Sequence, residues 1–169
     1  MPPEPPIKLD SLDKDILTEL QKDATISYKD LSKKIGAAES TVYDRARRLR
    51  QLGIIKGIVP LLDAKKCGKL TTAWIRVSIH SIQDIGRISK ELAMIDELLE
   101  VHEISGEWDI LVKTKVTDNE ELRNLEVEKI GPIKGIKGLY SLIAVRTEKE
   151  DIRIKLESLE EQMAKNSFD

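Results

Sequence analysis

Between Leu9 and Gly53 the apolar residues recur three and four positions apart, the spacing of one helical face. Beyond Gly53 they alternate, the spacing of a strand. Leu12, Ile16, Leu17 and Leu20 make the first stripe. With Asp10 as N-cap and Asp13 at the acid-favouring third position, it predicts a helix over about 11–22. Ser27, three residues before Asp30, starts a second helix whose Leu31 and Ile35 face inward and which Gly36 ends. A third helix is expected over about 40–52, stopped by Gly53. The run 54–62 then reads as a strand or strand pair leading out of the helical domain, and Lys65–Lys69 as an interdomain loop.

The second half reads strand, helix, strand, strand, helix, strand. Thr72–His80 places Ala73, Ile75, Val77 and Ile79 on one face and Trp74, Arg76, Ser78 and His80 on the other. Asp84–Ile95 is a helix with Ile85, Ile88, Leu92 and Ile95 inward. Leu99–Ser105 and Ile110–Val116 are strands around a Gly106 turn. Asp118–Ile130 is a helix capped by Asp118 and ended by Gly131-Pro132, and Leu139–Thr147 is the last strand. The pattern predicts an α+β chain: an N-terminal winged helix-turn-helix domain and a C-terminal ferredoxin-like βαββαβ domain. The division is 1–6 as a disordered proline-rich tail, 7–53, a strand linker over 54–70, 71–148, and a C-terminal helix within 149–169, of which 150–164 is helical with Ile152, Leu156, Leu159 and Met163 on one face. Trp74 and Tyr140 fall on the sheet face away from the helices. There they are either surface aromatics or part of a face covered by a second subunit.

Composition changes this picture in one respect. The chain of 169 residues has a net charge of −2, which by itself argues against a nucleic-acid partner. Residues 29–56, however, carry a net +5 and residues 64–169 a net −3. Attraction to phosphate depends on the contacting surface, so the local figure is the relevant one. Abundant Lys, Glu and Ile with scarce Asn and Gln lean towards a heat-adapted source. One cysteine, the lack of a secretory leader pattern and of any apolar run long enough for a bilayer point to the cytoplasm, with no membrane partner.

The basic segment has the form of a DNA reader. If Val42, Ala46 and Leu49 face the core, then at about 100° per residue Ser40, Tyr43, Asp44, Arg47 and Gln51 point outward, with Thr41 and Arg48 on one flank and Arg50 on the other. A recognition helix enters the major groove by its N-terminal part, so Ser40, Tyr43, Asp44 and Arg47 are the candidate base readers. Thr41 lies beside them. Arg48, Arg50, Lys29, Lys33 and Lys34 are placed to neutralise phosphates. Arg45 lies near the core arc and reads as an ion pair to an acidic residue of the first helix.

Leu9, Asp10, Asp13, Ile16, Leu17, Leu20, Gln21, Asp23 and Ala24 are spaced as in the opening signature of the Lrp/AsnC (feast/famine) transcription regulators. Gly36, Val42, Arg45, Arg48, Leu49, Gly53, Ile54 and Ile55 resemble their recognition-helix motif. Ser105-Gly106 with Asp109 resembles the turn of their effector domain, and Pro132 with Gly135-Ile136 a later segment. The resemblance covers about residues 7–147 and points to an archaeal or thermophilic member. It implies double-stranded, pseudo-palindromic DNA as partner, a homodimer through the sheet face, further assembly to an octamer, and an amino-acid effector between dimers. Carried over by position, the effector residues are Ser105, Gly106, Glu107, Trp108, Asp109 and Ser141. Asp109 or Glu107 can take the effector's ammonium, and backbone N–H groups around Gly106 its carboxylate. Alternatively, Gly106 only permits a tight turn and Asp109 caps it. Three positions depart from the family pattern: Ala38 at the third helix's N-cap where Ser is usual, Thr25 for Arg, and Leu139-Tyr140-Ser141 for Thr-x-Thr.

His80, His102 and Cys67 do not have metal-ligand spacing, and no nucleophile–base pair or phosphate-cradling glycine loop is present, so no cofactor and no enzyme activity are expected. Two alternatives remain beside the effector-responsive regulator: an Lrp-like subunit of the sirohaem decarboxylase type, and an effector-independent global DNA binder.

Overall fold

The computed structural model describes residues 7–156. They form two compact units. One comprises residues up to 60 together with those from 151, the other residues 61–150. The proline-rich tail lies outside the described residues.

The first unit holds three helices, α1 (Ser11–Lys22), α2 (Tyr28–Ile35) and α3 (Glu39–Gln51). α1 starts with a reciprocal capping box: the Asp13 N–H donates to Asp10 Oδ1 at 2.8 Å, and the Asp10 N–H to Asp13 Oδ2 at 3.4 Å. α2 is capped by Ser27 Oγ, which accepts from the Asp30 N–H at 3.1 Å. The shorter Asp30 carboxylate takes the Ser27 hydroxyl at 2.7 Å and does not close the box. Gly36 ends α2 in the left-handed region, at φ 69°. α3 has no side-chain cap, because Ala38 occupies the N-cap position, which costs about 1 kcal/mol relative to Ser. Ile16, Leu17, Leu31, Val42, Ala46 and Leu49 form the core.

The expected strand over 54–62 is not formed, and with it the wing is absent. A strand needs a ladder, and no described segment pairs with this one. Ile54 and Ile55 turn back onto the helical core, their N–H groups donating to the Leu49 carbonyl, while Ile58, Val59, Leu61 and Leu62 are exposed.

The second unit is a four-stranded antiparallel sheet of β1 (Thr71–Ile79), β2 (Leu98–Glu103), β3 (Ile110–Val116) and β4 (Ile136–Ile143), in the order β2-β3-β1-β4. α4 (Ile85–Leu92) and α5 (Asn119–Asn124) cover one face. The alternation holds: Ala73, Ile75, Val77 and Ile79 are buried with Ile110, Val112 and Val116 of β3. The helix expected over 84–95 is a single 3-10 turn (Ile82–Asp84) followed by the shorter α4. The helix expected over 118–130 begins as α5, with Asp118 accepting from the Glu121 N–H at 2.9 Å. It then widens into π turns over Leu125–Ile130, where the Gly131 N–H reaches back five residues to the Glu126 carbonyl. β4 starts and stops three to four residues earlier than the expected 139–147.

The expected C-terminal helix is not formed over residues 151–156, which have no regular secondary structure; Leu159 and Met163 lie outside the described residues. Within the first unit, the Ile154 N–H donates to Gln21 Oε1 at 2.6 Å and Gln21 Nε2 to the Ile154 carbonyl at 3.0 Å, and Leu156 packs on the helical core. This reciprocal amide pair holds the segment on α1.

Candidate nucleic-acid interface and effector site

α3 owes its orientation to Val42, Ala46 and Leu49, all fully buried. Ser40, Thr41, Tyr43, Asp44, Arg47 and Arg50 are therefore exposed on the other side, as expected. Tyr43 packs edge-on against Tyr28 of α2, with ring centres 5.4 Å apart, which ties the two helices of the pair together.

The four arginines of α3 divide by partner. Asp13 is 1% exposed, and its carboxylate sits between two guanidinium groups. Arg45 Nη1 reaches Asp13 at 3.1 Å and Asp10 at 2.5 Å. Arg48 Nη1 reaches both Asp13 oxygens, at 3.1 and 3.3 Å. The Asp13 backbone N–H and Arg45 hold the Asp10 carboxyl below its usual range, and the two carboxylates raise Arg45. The ion pair expected for Arg45 is present. Arg48 was expected to point at phosphate, but the structure commits its guanidinium to Asp13, because the flank it occupies is the one α1 packs against. Arg47 and Arg50 have no ion pair among the described residues, and neither has Lys29. Lys33 lies 3.5 Å from Asp30 in an exposed pair, which is worth little. Lys34 pairs with Glu19 of α1, which Lys22 also binds at 2.6 Å. Hydrogen bonds from Lys22 and then Lys34 lower the Glu19 carboxyl.

In the second unit the turn between β2 and β3 is closed by the Ile104 N–H on the Asp109 carbonyl, at 2.9 Å, with Gly106 at φ 138°. Asp109 is built into the sheet. Its N–H donates to the Val77 carbonyl at 3.1 Å, and its Oδ2 accepts the Ile79 N–H at 2.9 Å. Ser105 and Glu107 are exposed. Trp108 leans onto the face away from the helices, 5.9 Å from the Tyr140 ring. Ser141 is the next residue along β4, so it points the opposite way, and its hydroxyl donates to Glu126 on the helix side. The turn and Ser141 are thus not brought together on one face of a single chain. A groove of about 490 Å³ between α4 and β2 is lined by Gly86, Ser89, Ala93, Val101, His102 and Glu103, together with Lys90, and contains none of the expected effector residues.

The helix-free face carries a feature that the sequence pattern left unremarked. Arg76 of β1 lies with its guanidinium 4.4 Å from the centre of the Tyr140 ring and 4.9 Å from that of Trp108. The alternation had placed Arg76 on this face, but only the β1–β4 register, Arg76 opposite Tyr140, reveals the stack. On the same face Lys113 pairs with Glu100 at 3.2 Å and Glu150 at 2.9 Å, and Lys115 with Glu150 at 2.5 Å.

Residues 9–50 match the AsnC-type helix-turn-helix domain, and residues 71–154 the Lrp/AsnC ligand-binding domain. The HTH-type transcriptional regulator FL11 of Pyrococcus horikoshii is 33% identical over 150 residues, covering 89% of this chain and 98% of its own. The chain belongs to the Lrp/AsnC family. The regulatory protein AsnC of Haemophilus influenzae is 32% identical over 138 residues, covering 82% of this chain and 92% of its own. The solved structure of E. coli AsnC superposes with a TM-score of 0.81 at 25% identity, covering 87% of this chain and 99% of that one. A Neisseria meningitidis regulator solved in complex with L-Met shares the fold, with a TM-score of 0.81 at 23% identity, covering 88% and 97%. As an Lrp/AsnC protein the chain is a helix-turn-helix transcription regulator, with the α3 face in its DNA-binding domain and the Gly106 turn in its ligand-binding domain. No helix among the described residues is long and apolar enough to cross a membrane.

Proposed function

We propose that this Lrp/AsnC protein reads DNA through Ser40, Thr41, Tyr43, Asp44 and Arg47, with Arg50, Lys29 and Lys33 on phosphates and Arg48 and Lys34 positioning the helices that carry them. It assembles through the helix-free sheet face, first as a dimer and then to an octamer, and its DNA affinity responds to an amino acid bound around the Gly106 turn. The observation that carries the DNA reading is the division of α3. Two arginines are locked inward by one buried carboxylate, which leaves Arg47 and Arg50 free on a face that also holds hydroxyls at its N-terminal end. Support for the effector reading comes from the exposed turn and from the L-Met bound by the Neisseria relative. Fragments enriched by repeated binding from random DNA are titrated against scrambled sequence at fixed salt. A regulator binds the enriched fragments at least a hundredfold more tightly, and equal binding ends the reading. Thermal unfolding with each of the twenty amino acids tests the effector, because a ligand of the native state raises the melting temperature by mass action.

The effector-independent global binder is the second reading. It is favoured by the Ser141 hydroxyl, which is already given to Glu126. It predicts that none of the twenty amino acids shifts the melting temperature.

A further inference from the structure

Ser40, Thr41, Tyr43, Asp44 and Arg47 share the outward side of α3. Tyr43 alone of these makes a hydrogen bond, ion pair or ring contact among the described residues. That contact is with Tyr28, at 5.4 Å between ring centres and 85° between ring planes. Tyr28 is itself a fixed platform: it is the first residue of α2, follows the Ser27 cap, and packs on the helical core. Tyr43, by contrast, is 49% exposed. An exposed side chain on a helix has several rotamers open to it, and binding must order it. The edge-to-face contact removes much of that freedom before DNA arrives, because a tyrosine has only two side-chain torsions to fix. What the ring can recognise follows from its surface. The major groove offers one apolar group, the C5 methyl of thymine. Tyr43 is the one ring on a side otherwise made of hydroxyl and charged side chains.

We infer that Tyr28 is a positioning residue for base reading: it holds the Tyr43 ring so that the ring meets a thymine methyl in the major groove. The inference rests on the DNA reading above and adds a base identity to it, a preference for thymine at one position of each half-site. Tyr28 touches no DNA itself in this arrangement. It acts from α2 on a side chain of α3, so the preference belongs to the helix pair and not to the recognition helix alone.

The test uses the full chain and the enriched DNA, with each thymine replaced in turn by deoxyuridine, which lacks only the C5 methyl and pairs as thymine does. In the parent protein, replacement at one position per half-site weakens binding about fourfold, the worth of one buried methyl group. Tyr43→Leu and Tyr28→Leu each bring the ratio of thymine to uracil affinity at that position to about one. Tyr28→Phe, which keeps the ring, preserves the ratio. A purely structural role for Tyr28 would weaken the thymine and uracil forms alike and leave their ratio unchanged. Tyr43→Leu removes the same contact from an exposed position, so a misfolded Tyr28→Leu does not end the test. A ratio that survives in either leucine variant overturns the inference. So does a parent protein with no methyl-dependent position, and the DNA reading then stands on its preference for enriched over scrambled sequence. Equal binding of enriched and scrambled DNA by the parent overturns both.

Discussion

The outer face of α3 and the helix-free face of the sheet both present cations beside aromatic rings, yet they differ in what neutralises those cations. On the sheet, Lys113 and Lys115 are enclosed by Glu100 and Glu150, and hydrogen bonds to Lys115 and Lys113 lower the Glu150 carboxyl. On α3, the Asp10 and Asp13 carboxylates are taken by the inner arginines, and Arg47 and Arg50 have no ion pair among the described residues. A surface whose charges are already paired is suited to packing. One whose cations are unpaired is suited to a polyanion, where attraction comes from releasing counter-ions. Arg76 is the exception on the sheet, and the pairing of its neighbours is what makes it one.

The largest expected effect comes from removing the carboxylate that sorts the arginines. Asp13→Ala leaves two guanidinium groups facing each other and breaks the α1 capping box. Breaking a buried pair costs about 3–5 kcal/mol. With the Arg45 and Arg48 side chains 33% and 43% exposed, about 2–3 kcal/mol is expected here. Urea unfolding followed by circular dichroism should show the helical unit melting first, and a loss under ~1 kcal/mol would contradict the buried-pair account.

Arg47→Ala comes next, with a loss of about 1–3 kcal/mol in binding enriched DNA and a relaxed base preference. Arg48→Ala sharpens the contrast. It should lower the unfolding midpoint and weaken binding of all sequences alike, because it acts through the seating of α3. Equal behaviour of the two variants in both measurements would dissolve the distinction between the inner and outer arginines. Lys33→Ala should reduce the salt slope of binding by about 1 without altering preference.

The smallest effect is on pH dependence. Lys69 and the Thr117 backbone and hydroxyl hold Glu121 down from 4.5 to about 2. A carboxyl depressed in the folded state stabilises fully above its unfolded value, and this contribution is lost as pH falls from about 4.5 towards 2. Glu121→Gln should flatten the acid limb of sheet-unit stability in that window and leave it unchanged near neutrality. An unaltered acid limb would mean that Glu121 is not linked to folding.

The legibility of the chain follows the same division. Helix boundaries in the first unit, the inward arc of α3 and the faces of β1 were legible because each depends on neighbours within four residues. The 54–62 strand failed because alternation is necessary for a strand but a partner completes it. The last helix failed over 151–156 because Ile154 finds Gln21, 133 residues away. Of the site residues, the exposed face of α3 was readable from its period. The roles of Arg48, Asp109 and Ser141 were not, since each depends on a group from another element.

Sequence alone determined the two-domain architecture, the basic segment within an acidic chain, and which helix presents its charges outward. These follow from periodicity, capping and composition, all local quantities. Tertiary structure alone decided which charges are neutralised: Asp13 for Arg45 and Arg48, Glu150 for Lys113 and Lys115, and none for Arg47, Arg50 or Arg76 among the described residues. Ion pairing depends on distances of a few ångströms between groups that the chain keeps 32 to 37 residues apart in these pairs, and only the packing of one element on another sets them.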